Sequence, residues 1–595
     1  MNKVGMQAEK RHIVELIRSQ VEGGDLLLVI PPGNALDCIP LGAYTLQAVA
    51  KQQGYTADIL HLDFLLARWI GMDTYKAVQE TVMNAYYQLL MERLFARSAF
   101  DVPALGYHHE AIYDQAFATG GIVNSNSYNN RAVEAQLDHL QQLEQRCYDF
   151  IEVVAEALAH VSYRVVGSAI IYENQLIPGI ALFRKLEALL HQTAFIAGGA
   201  YFYEKGREAG VKELPTALDY IFVGEAEGSL MDLLAQSEIP KASPPQIVSP
   251  SKGPSLEKTP HADYEAYAQQ VIHILGEDFF SQEVKVFWYE SNRGCWWGDI
   301  ARCTFCSIPQ GNFRRKLSQT VKENLTQIQA RFPDKTFLFT DNIMAESFPA
   351  EYVQFFEQDE PKPMVGFQLK VSKKLADVKA LHQINTRWVM PGIESFSTSL
   401  LKRMKKGTTG KDNLYFLRNA LSHGISVQYL LLWGFPGDQR EEYEYLLDLI
   451  PRISHLRNPD FFTFALIGKG APLYKEAAGL GVTDLIPWKA YEAIFPKGAD
   501  VKQLAHFFRA SFPSQAYESP DLIQAISDSL SEWKQSYVES ELRIVPIRPG
   551  SYLIRDVRLI HQMKPQTYMV DEDRARVLMT LKRFDPTRTT ALVGR

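Results

Sequence analysis

The sequence predicts an α/β protein built in three parts. These are a doubly wound N-terminal domain, a partial barrel of β/α units, and a small α+β C-terminal domain. Three observations carry that prediction. Short, wholly apolar runs such as LLLVI (26–30) read as strands buried on both faces of a parallel sheet. Between about 263 and 490, six such runs alternate with helical patterns. The chain of 595 residues also exceeds what one core supports, since single domains usually stop growing near ~250–300 residues.

The N-terminal domain is assigned to 1–236. After LLLVI, PPGN breaks the strand, and LGAYTLQAVAKQQG reads as a helix stopped by Gly54. TADILHL is the next strand, which completes a β-α-β unit. Residues 65–160 read as a helical insertion, with GYHHEAIYDQAFATGGIVNSNSYNN irregular within it. The strand–turn–helix pattern resumes at YRVVGSAIIYENQ and again at LDYIFVGEAEGS. Residues 237–262 are rich in Pro, Ser and Lys without periodicity, and are expected to be a linker or extended strap.

In the barrel segment, 263–490, the predicted strands are 284–290, 336–342, 364–370, 386–395, 425–435 and 460–468. Beyond it, 491–595 is expected to form the end domain. ADVKQLAHFFRASF and DLIQAISDSLSEWKQSYVES read as helices, and LRIVPIRPGSYLIRDVRLI as a hairpin turning at PG.

Composition narrows the function classes. Apolar residues make up 46% and charged residues 22%, as in ordinary globular enzymes. The formal net charge of -7 offers no basic field for nucleic acid. No signal-peptide pattern opens the chain, and no apolar run reaches the ~20 residues of a membrane span. A cytoplasmic protein with neither nucleic-acid nor membrane partners is expected. The basic runs FRRK (313–316) and RMKK (403–406) read as solvated faces or contacts for carboxylates.

The chemistry concentrates in RGCWWGDIARCTFC. Three of the five cysteines, Cys295, Cys303 and Cys306, lie here in a C-x(7)-C-x-x-C spacing, and no cysteine follows. Cys38 and Cys147 stand far apart and read as ordinary residues. A reducing compartment favours metal over a crosslink for such a cluster. Structural zinc needs four closed ligands, and the fourth is not apparent. An iron–sulfur cube held by three thiolates leaves one iron open to an external ligand, the same logic that separates catalytic from structural zinc.

Three cysteines in the loop after a barrel's first strand form the pattern of radical SAM enzymes, in which S-adenosylmethionine (SAM) chelates the open iron. The usual spacing there is C-x(3)-C-x-x-C, from which this chain departs. Phe305, before the last cysteine, is placed to pack on adenine. Asp341 and Asn342, Lys370, and Glu394 and Ser395 end successive strands and are candidates to hold SAM's ribose, carboxylate or amine. Plainer readings stand beside these: Phe305 as core, Asp341-Asn342 as a turn or helix cap, and Glu394 as a satisfied polar residue at the rim.

RGCWWGDIARCTFC, DNI, PGIESFS, MKKGTT and LLLWGFPGD together resemble the cobalamin-dependent radical SAM maturases of ribosomally made peptides. The thiostrepton-pathway tryptophan methyltransferase and the polytheonamide C-methyltransferases belong among their relatives. The resemblance covers roughly 25–490, and it includes the long first cysteine gap. It implies a cobalamin-binding, Rossmann-like N-terminal domain. It also implies a [4Fe-4S] cluster, SAM, an external electron donor, and C-methylation of a residue in a peptide, or of tryptophan itself, through methylcobalamin. The loops it assigns to cobalamin carry Pro32, Leu41, Gly42, Ser168, Asn174, Gln175, Gly198, Gly199, Ala200, Gly224 and Glu225. No D-x-H-x-x-G motif is present, and His61 lacks that context, so the resemblance implies cobalamin without a protein histidine on cobalt. Cyclisation, thioether formation or rearrangement of a peptide remains an alternative outcome. A zinc-stabilised binding protein remains an alternative of another class.

Overall fold

Five of the predicted strands and one strand from the expected linker form one parallel sheet. The computed structural model describes residues 3–80, 89–105, 139–203, 206–253, 255–308, 313–356, 361–372, 374–558 and 565–578. The irregular stretch predicted within the helical insertion, 106–130, lies outside the described residues. The chain divides into two compact units. Among the described residues, those up to 289 form the first, joined by 486–509. Residues 290–485 and 510 onward form the second.

The first unit contains strands β1 (Gly24–Ile30), β2 (Ala57–His61), β3 (Tyr163–Ala169), β4 (Ala194–Gly198), β5 (Tyr220–Phe222) and β6 (Gln246–Val248), in the order β2-β1-β3-β4-β5-β6. All neighbours are parallel. β1 is almost wholly apolar because both faces are covered: Leu26 through Ile30 are all buried. The order reverses between β1 and β3, and ligands of open α/β sheets bind at such a switch point. The helices of the insertion pack on this unit, and Cys147, in the helix Leu140–Leu158, is buried there.

The stretch expected to be a linker, 237–262, instead contributes β6 to the sheet edge. Asp219 explains why it docks. This buried carboxylate accepts hydrogen bonds from the Phe195 amide (2.8 Å), the Ala242 amide (2.8 Å) and Lys241 Nζ (3.0 Å). It therefore ties the strap to β4 by charge-assisted bonds.

The second sheet runs β13-β12-β11-β10-β7. Its strands are β7 (Val286–Tyr289), β10 (Thr336–Phe339), β11 (Met364–Leu369), β12 (Thr386–Pro391) and β13 (Ser426–Val427). A two-stranded ladder, β8 (Asn292–Arg293) with β9 (Arg314–Arg315), lies between the first two of these in sequence. The predicted strand 425–435 breaks in two. At Tyr429 the chain leaves β12, and β14 (Leu430–Trp433) pairs with β15 (Phe461–Phe464) instead. Asp460 marks the switch by accepting the Tyr429 amide at 2.9 Å.

The end region departs from prediction at ADVKQLAHFFRASF. A single turn, Val501–Leu504, gives way to a strand, β18 (Phe507–Ser511), in a small sheet with β16 (Ile467–Gly468) and β17 (Thr483–Pro487). Trp488 stacks on Phe507 with ring centroids 4.6 Å apart and donates its amide to the Phe507 carbonyl. That tertiary pairing overrides a helical pattern. The predicted hairpin forms as β19 (Leu542–Arg548) and β20 (Ser551–Asp556), and β21 (Gln566–Asp571) adds a third antiparallel strand. Among the described residues, no helix is long and apolar enough to cross a membrane.

Asp219→Ala is expected to cost ~2 kcal/mol, as for a buried carboxylate bonded by charged and backbone donors. It should also open 237–250 to limited proteolysis. Urea unfolding and protease mapping check this, and an unchanged cleavage pattern would show that the strap docks without Asp219.

Candidate functional site

The cysteine loop rises from a small stalk. β8 and β9 pair antiparallel at its base. Asp341, at the end of β10, holds the strand entering it. Its carboxylate accepts the Ser291 amide (2.8 Å), the Asn292 amide (2.9 Å), Asn292 Nδ2 (2.8 Å) and the Ser291 hydroxyl. Burial pushes this carboxyl up to about 7, against the pull of those donors. The predicted site residue Asp341 is therefore spent on positioning the loop. Its neighbour Asn342 is exposed.

Cys295 caps the short helix Trp296–Ile300, and its Sγ accepts the Gly298 amide at 3.3 Å. The two tryptophans anchor the helix: Trp296 Nε1 donates to Met344 O (3.1 Å), and Trp297 Nε1 to Lys405 O (3.2 Å). Arg302 donates to the carbonyls of Cys306, Ile308 and Gly470, the last at 2.8 Å. Thr304 is buried, donates its amide to Met404 O (3.1 Å) and accepts from the Leu473 amide (2.9 Å). Gly407 adopts φ +69°, and a Cβ there would stand 2.2 Å from the Trp297 ring, so only glycine lets the turn close on it.

Cys295, Cys303 and Cys306 are free thiols, partly buried. Burial pushes the Cys303 and Cys306 thiols up, whereas the nearby Lys406 ammonium favours their thiolates. Each of these two cysteines also feels the charge of Cys295, which places all three within electrostatic reach of one another. Among the described residues no three potential ligands close on a single metal ion. A four-iron cube takes each thiolate on a different iron, so its ligands need not converge on one point.

Two lysines line this loop. Lys370, a predicted site residue, lies over the Trp297 ring with Nζ 3.7 Å from its centroid, and also donates to Lys406 O. Lys406 pairs with Glu394 at 2.9 Å and lies 5.5 Å from the Phe305 centroid. Phe305 meets Phe435 edge-on at 6.0 Å. Glu394 adopts φ +57°, uncommon for a residue with a side chain. Its carbonyl accepts the Leu432 amide at 2.8 Å, which bridges it to β14. Ser395 is buried, and its Oγ accepts the Ser397 amide. The structure thus gathers Phe305, Lys370 and Glu394 about the cysteine loop. Sequence reasoning missed Lys406, Trp297, Phe435 and Arg302. The only signal for Lys406 was the MKKGTT motif, which names two adjacent lysines without saying which turns inward.

The loops of the first unit that follow the strands gather along one side of its sheet. Pro32, Leu41 and Gly42 follow β1. Ser168 lies in β3, and Asn174 and Gln175 follow it. Gly198 ends β4, with Gly199 and Ala200 after it, and Gly224 and Glu225 follow β5. Parallel pairing puts all of them on one edge, astride the switch point. Gln175 and Asn174 donate to Pro31 O (3.2 Å) and Gly33 O (3.1 Å), which tie the two central loops together. Ser168 Oγ and Asn174 Oδ1 are buried there with no hydrogen-bond partner. Orphaned buried polar atoms in a glycine-rich edge mark a place for a polar ligand or water. Gly33 (φ +119°) and Gly199 (φ +118°) keep the edge open, since a Cβ would meet Asn174 at 2.7 Å or the Ile170 carbonyl at 2.3 Å. His61 is fully buried: Nδ1 meets Asp63 Oδ1 at 2.9 Å and Nε2 meets the Tyr44 hydroxyl at 3.0 Å. Both ring nitrogens are thus engaged.

Residues 289–450 match the family model of the Radical SAM superfamily. A protein of Methanocaldococcus jannaschii named as a candidate methylthiotransferase is 27% identical over 30% of this chain and 42% of its own length. A ribosomal protein uS12 methylthiotransferase RimO of Solibacter usitatus is 23% identical over 27% of this chain and 38% of its own. The chain thus spans about two fifths of the length of these curated relatives. In fold, the chain is similar to TsrM from Kitasatospora setae, a radical S-adenosylmethionine methyltransferase solved with cobalamin and a [4Fe-4S] cluster bound. The TM-score is 0.51 at 13% identity, covering 85% of this chain and 90% of that one. It is also similar to the cobalamin-dependent radical enzyme OxsB, with a TM-score of 0.52 at 14% identity, over 87% of this chain and 67% of that one.

Asp341→Asn can keep at most part of the set of bonds to Ser291 and Asn292, because its amide nitrogen donates and cannot accept. The expected loss is ~2 kcal/mol in the stability of the second unit, with less iron retained after anaerobic reconstitution. Chemical unfolding and an iron assay check this. Wild-type stability and iron would show that the pin is dispensable.

Proposed function

We propose that the chain is a cobalamin-dependent radical SAM C-methyltransferase acting on an amino-acid residue of a ribosomally made peptide, or on tryptophan itself. The observation that carries the reading is the presence on one chain of two fitted places: three free thiols in a pinned loop, and a glycine-lined sheet edge with two orphaned buried polar atoms. The fold likeness to TsrM and OxsB, which extends over both units, supports the same reading.

When bound, the cluster with SAM supplies a route to a carbon radical, and cobalamin carries a methyl group; that chemistry belongs to the cofactors. The chain's own residues bind and orient. Cys295, Cys303 and Cys306 would hold the cluster, with Lys406 offsetting the charge of the thiolates. Phe305, braced by Phe435, presents a flat apolar surface suited to adenine. The Lys406–Glu394 pair is largely buried, so it resists screening by water. It offers one cation and one anion to SAM's carboxylate and amine. In the first unit, Ser168, Asn174 and Gln175 would meet the polar edge of cobalamin, and Gly33 and Gly199 allow close backbone approach.

Methylthio transfer is a second reading, favoured by the names of the sequence relatives. Product mass separates the two, because a methyl group adds carbon and no sulfur. With methyl-labelled SAM, hydroxocobalamin and a reductant, a tryptophan or peptide acceptor is expected to gain a labelled methyl on carbon. Cys303→Ala and Cys306→Ala should each abolish that transfer and lower bound iron, while cobalamin retention persists. A labelled product carrying sulfur would overturn the methyltransferase reading.

A further inference from the structure

Strands β10 to β13 have one closed face and one open face. Leu338, Gly366, Trp388 and Ser426 stand in register across β10, β11, β12 and β13. Side chains two residues apart share a face of a strand, so Thr340, Gln368, Met390 and Gln428 form the next row on that face. The residues between the rows, Phe339, Phe367, Val389 and Val427, belong to the other face and are all buried. Gln428 lies one residue beyond β13, but burial still alternates from Ser426 to Trp433, so it keeps the face of Ser426. On the open side Gln428 is exposed, Met390 is 40% exposed and Gln368 is half-buried. Parallel sheets are normally covered on both faces, so an uncovered row within one is a place kept for something else. The row carries no charge. Among the described residues neither glutamine amide has a hydrogen-bond partner. The next charge on this face toward the strand ends is Lys370, two residues past Gln368, and its ammonium is engaged by the Trp297 ring and Lys406 O.

We infer that Gln368 and Gln428 read backbone amides of the acceptor, and so select a residue held within a peptide over the free amino acid. The inference rests on the proposed acceptor chemistry and chooses between its two acceptors. A carboxamide donates and accepts at once, as a peptide group does, so each glutamine can pair reciprocally with one peptide unit. Neighbouring strands lie ~4.8 Å apart, so the two glutamines, one on either side of β12, are rooted about 10 Å from each other. An extended chain covers that span in three residues, at ~3.3 Å each. Met390 stands between the glutamines, and its unbranched side chain can adapt to the middle residue. A free amino acid would instead bring an ammonium and a carboxylate against a row with no counter-charge to offset their loss of water. Lys370 continues the same face to the cysteine loop, so a segment lying across the row is beside the thiols.

The test uses the full chain reconstituted without oxygen, with its iron and cobalt counted first. One pool holds capped tripeptides, acetyl-Ala-X-Ala-amide, with X each of the common residues in turn. The other holds the same residues as free amino acids. Ultrafiltration with mass spectrometry reads what the chain retains, which requires no turnover. Wild type is expected to retain a capped peptide, and roughly tenfold less of the matching free amino acid at equal concentration. Gln368→Leu/Gln428→Leu should weaken that retention on the order of tenfold. Iron, cobalt and Tm should not change, because both side chains stand partly or wholly in water. Gln368→Glu/Gln428→Glu should weaken retention as well, because a carboxylate keeps the shape and cannot donate. Equal retention of free amino acids would overturn the selection. Equal retention by wild type and both variants would overturn the role of the two glutamines. Retention of nothing by a chain that holds its iron and cobalt would also overturn the inference. A wild-type chain that holds neither metal would instead refute the reading on which the inference rests.

Discussion

Four hydrogen bonds onto one carboxylate set the geometry on which the second unit's chemistry depends. Asp341 sits at the end of a sheet strand, where the backbone is fixed by parallel neighbours. It grips both backbone amides and both side chains of Ser291-Asn292. A loop as long as the cysteine loop would otherwise sample many arrangements. The grip works because a carboxylate has about four acceptor directions and all are used. Burial raises the cost of the charge, and only a complete set of donors offsets it. The cysteines inherit their position from this one point and from the two tryptophans that follow.

Charge is arranged around the thiols with the same economy. Lys406 would be costly to bury alone. Glu394 pairs with it, and the nearby thiols favour its charged form. Glu394 reaches this place from a left-handed backbone position fixed by its carbonyl bond to the Leu432 amide. Backbone conformation, ion pair and thiol environment are therefore coupled. The first unit uses a different device, in which a strand-order reversal and two left-handed glycines leave polar atoms facing a shared edge.

Much of this was legible in sequence because it rests on local pattern. LLLVI and its fellows are apolar on both faces, so their strands and parallel pairing follow from composition. The cysteine cluster is equally local. What sequence concealed is whatever depends on distant partners. The strap 237–262 looks like a linker until Asp219 receives it. ADVKQLAHFFRASF carries a helical rhythm, but Trp488 captures Phe507 and a strand results. Asp341 was read as a site residue by its position at a strand end, and its donors, some fifty residues away, could not be foreseen. Lys406 is one of two adjacent lysines, and only the fold turns one toward Glu394 and leaves the other in water.

The most direct measurement is a metal count on the anaerobically purified chain, reconstituted with iron and sulfide, mixed with hydroxocobalamin and desalted. The account predicts about four irons and about one cobalt per chain, with the broad visible absorbance of an iron–sulfur cluster. Zinc in place of iron, with no cobalt retained, would contradict it and return the three cysteines to a structural role.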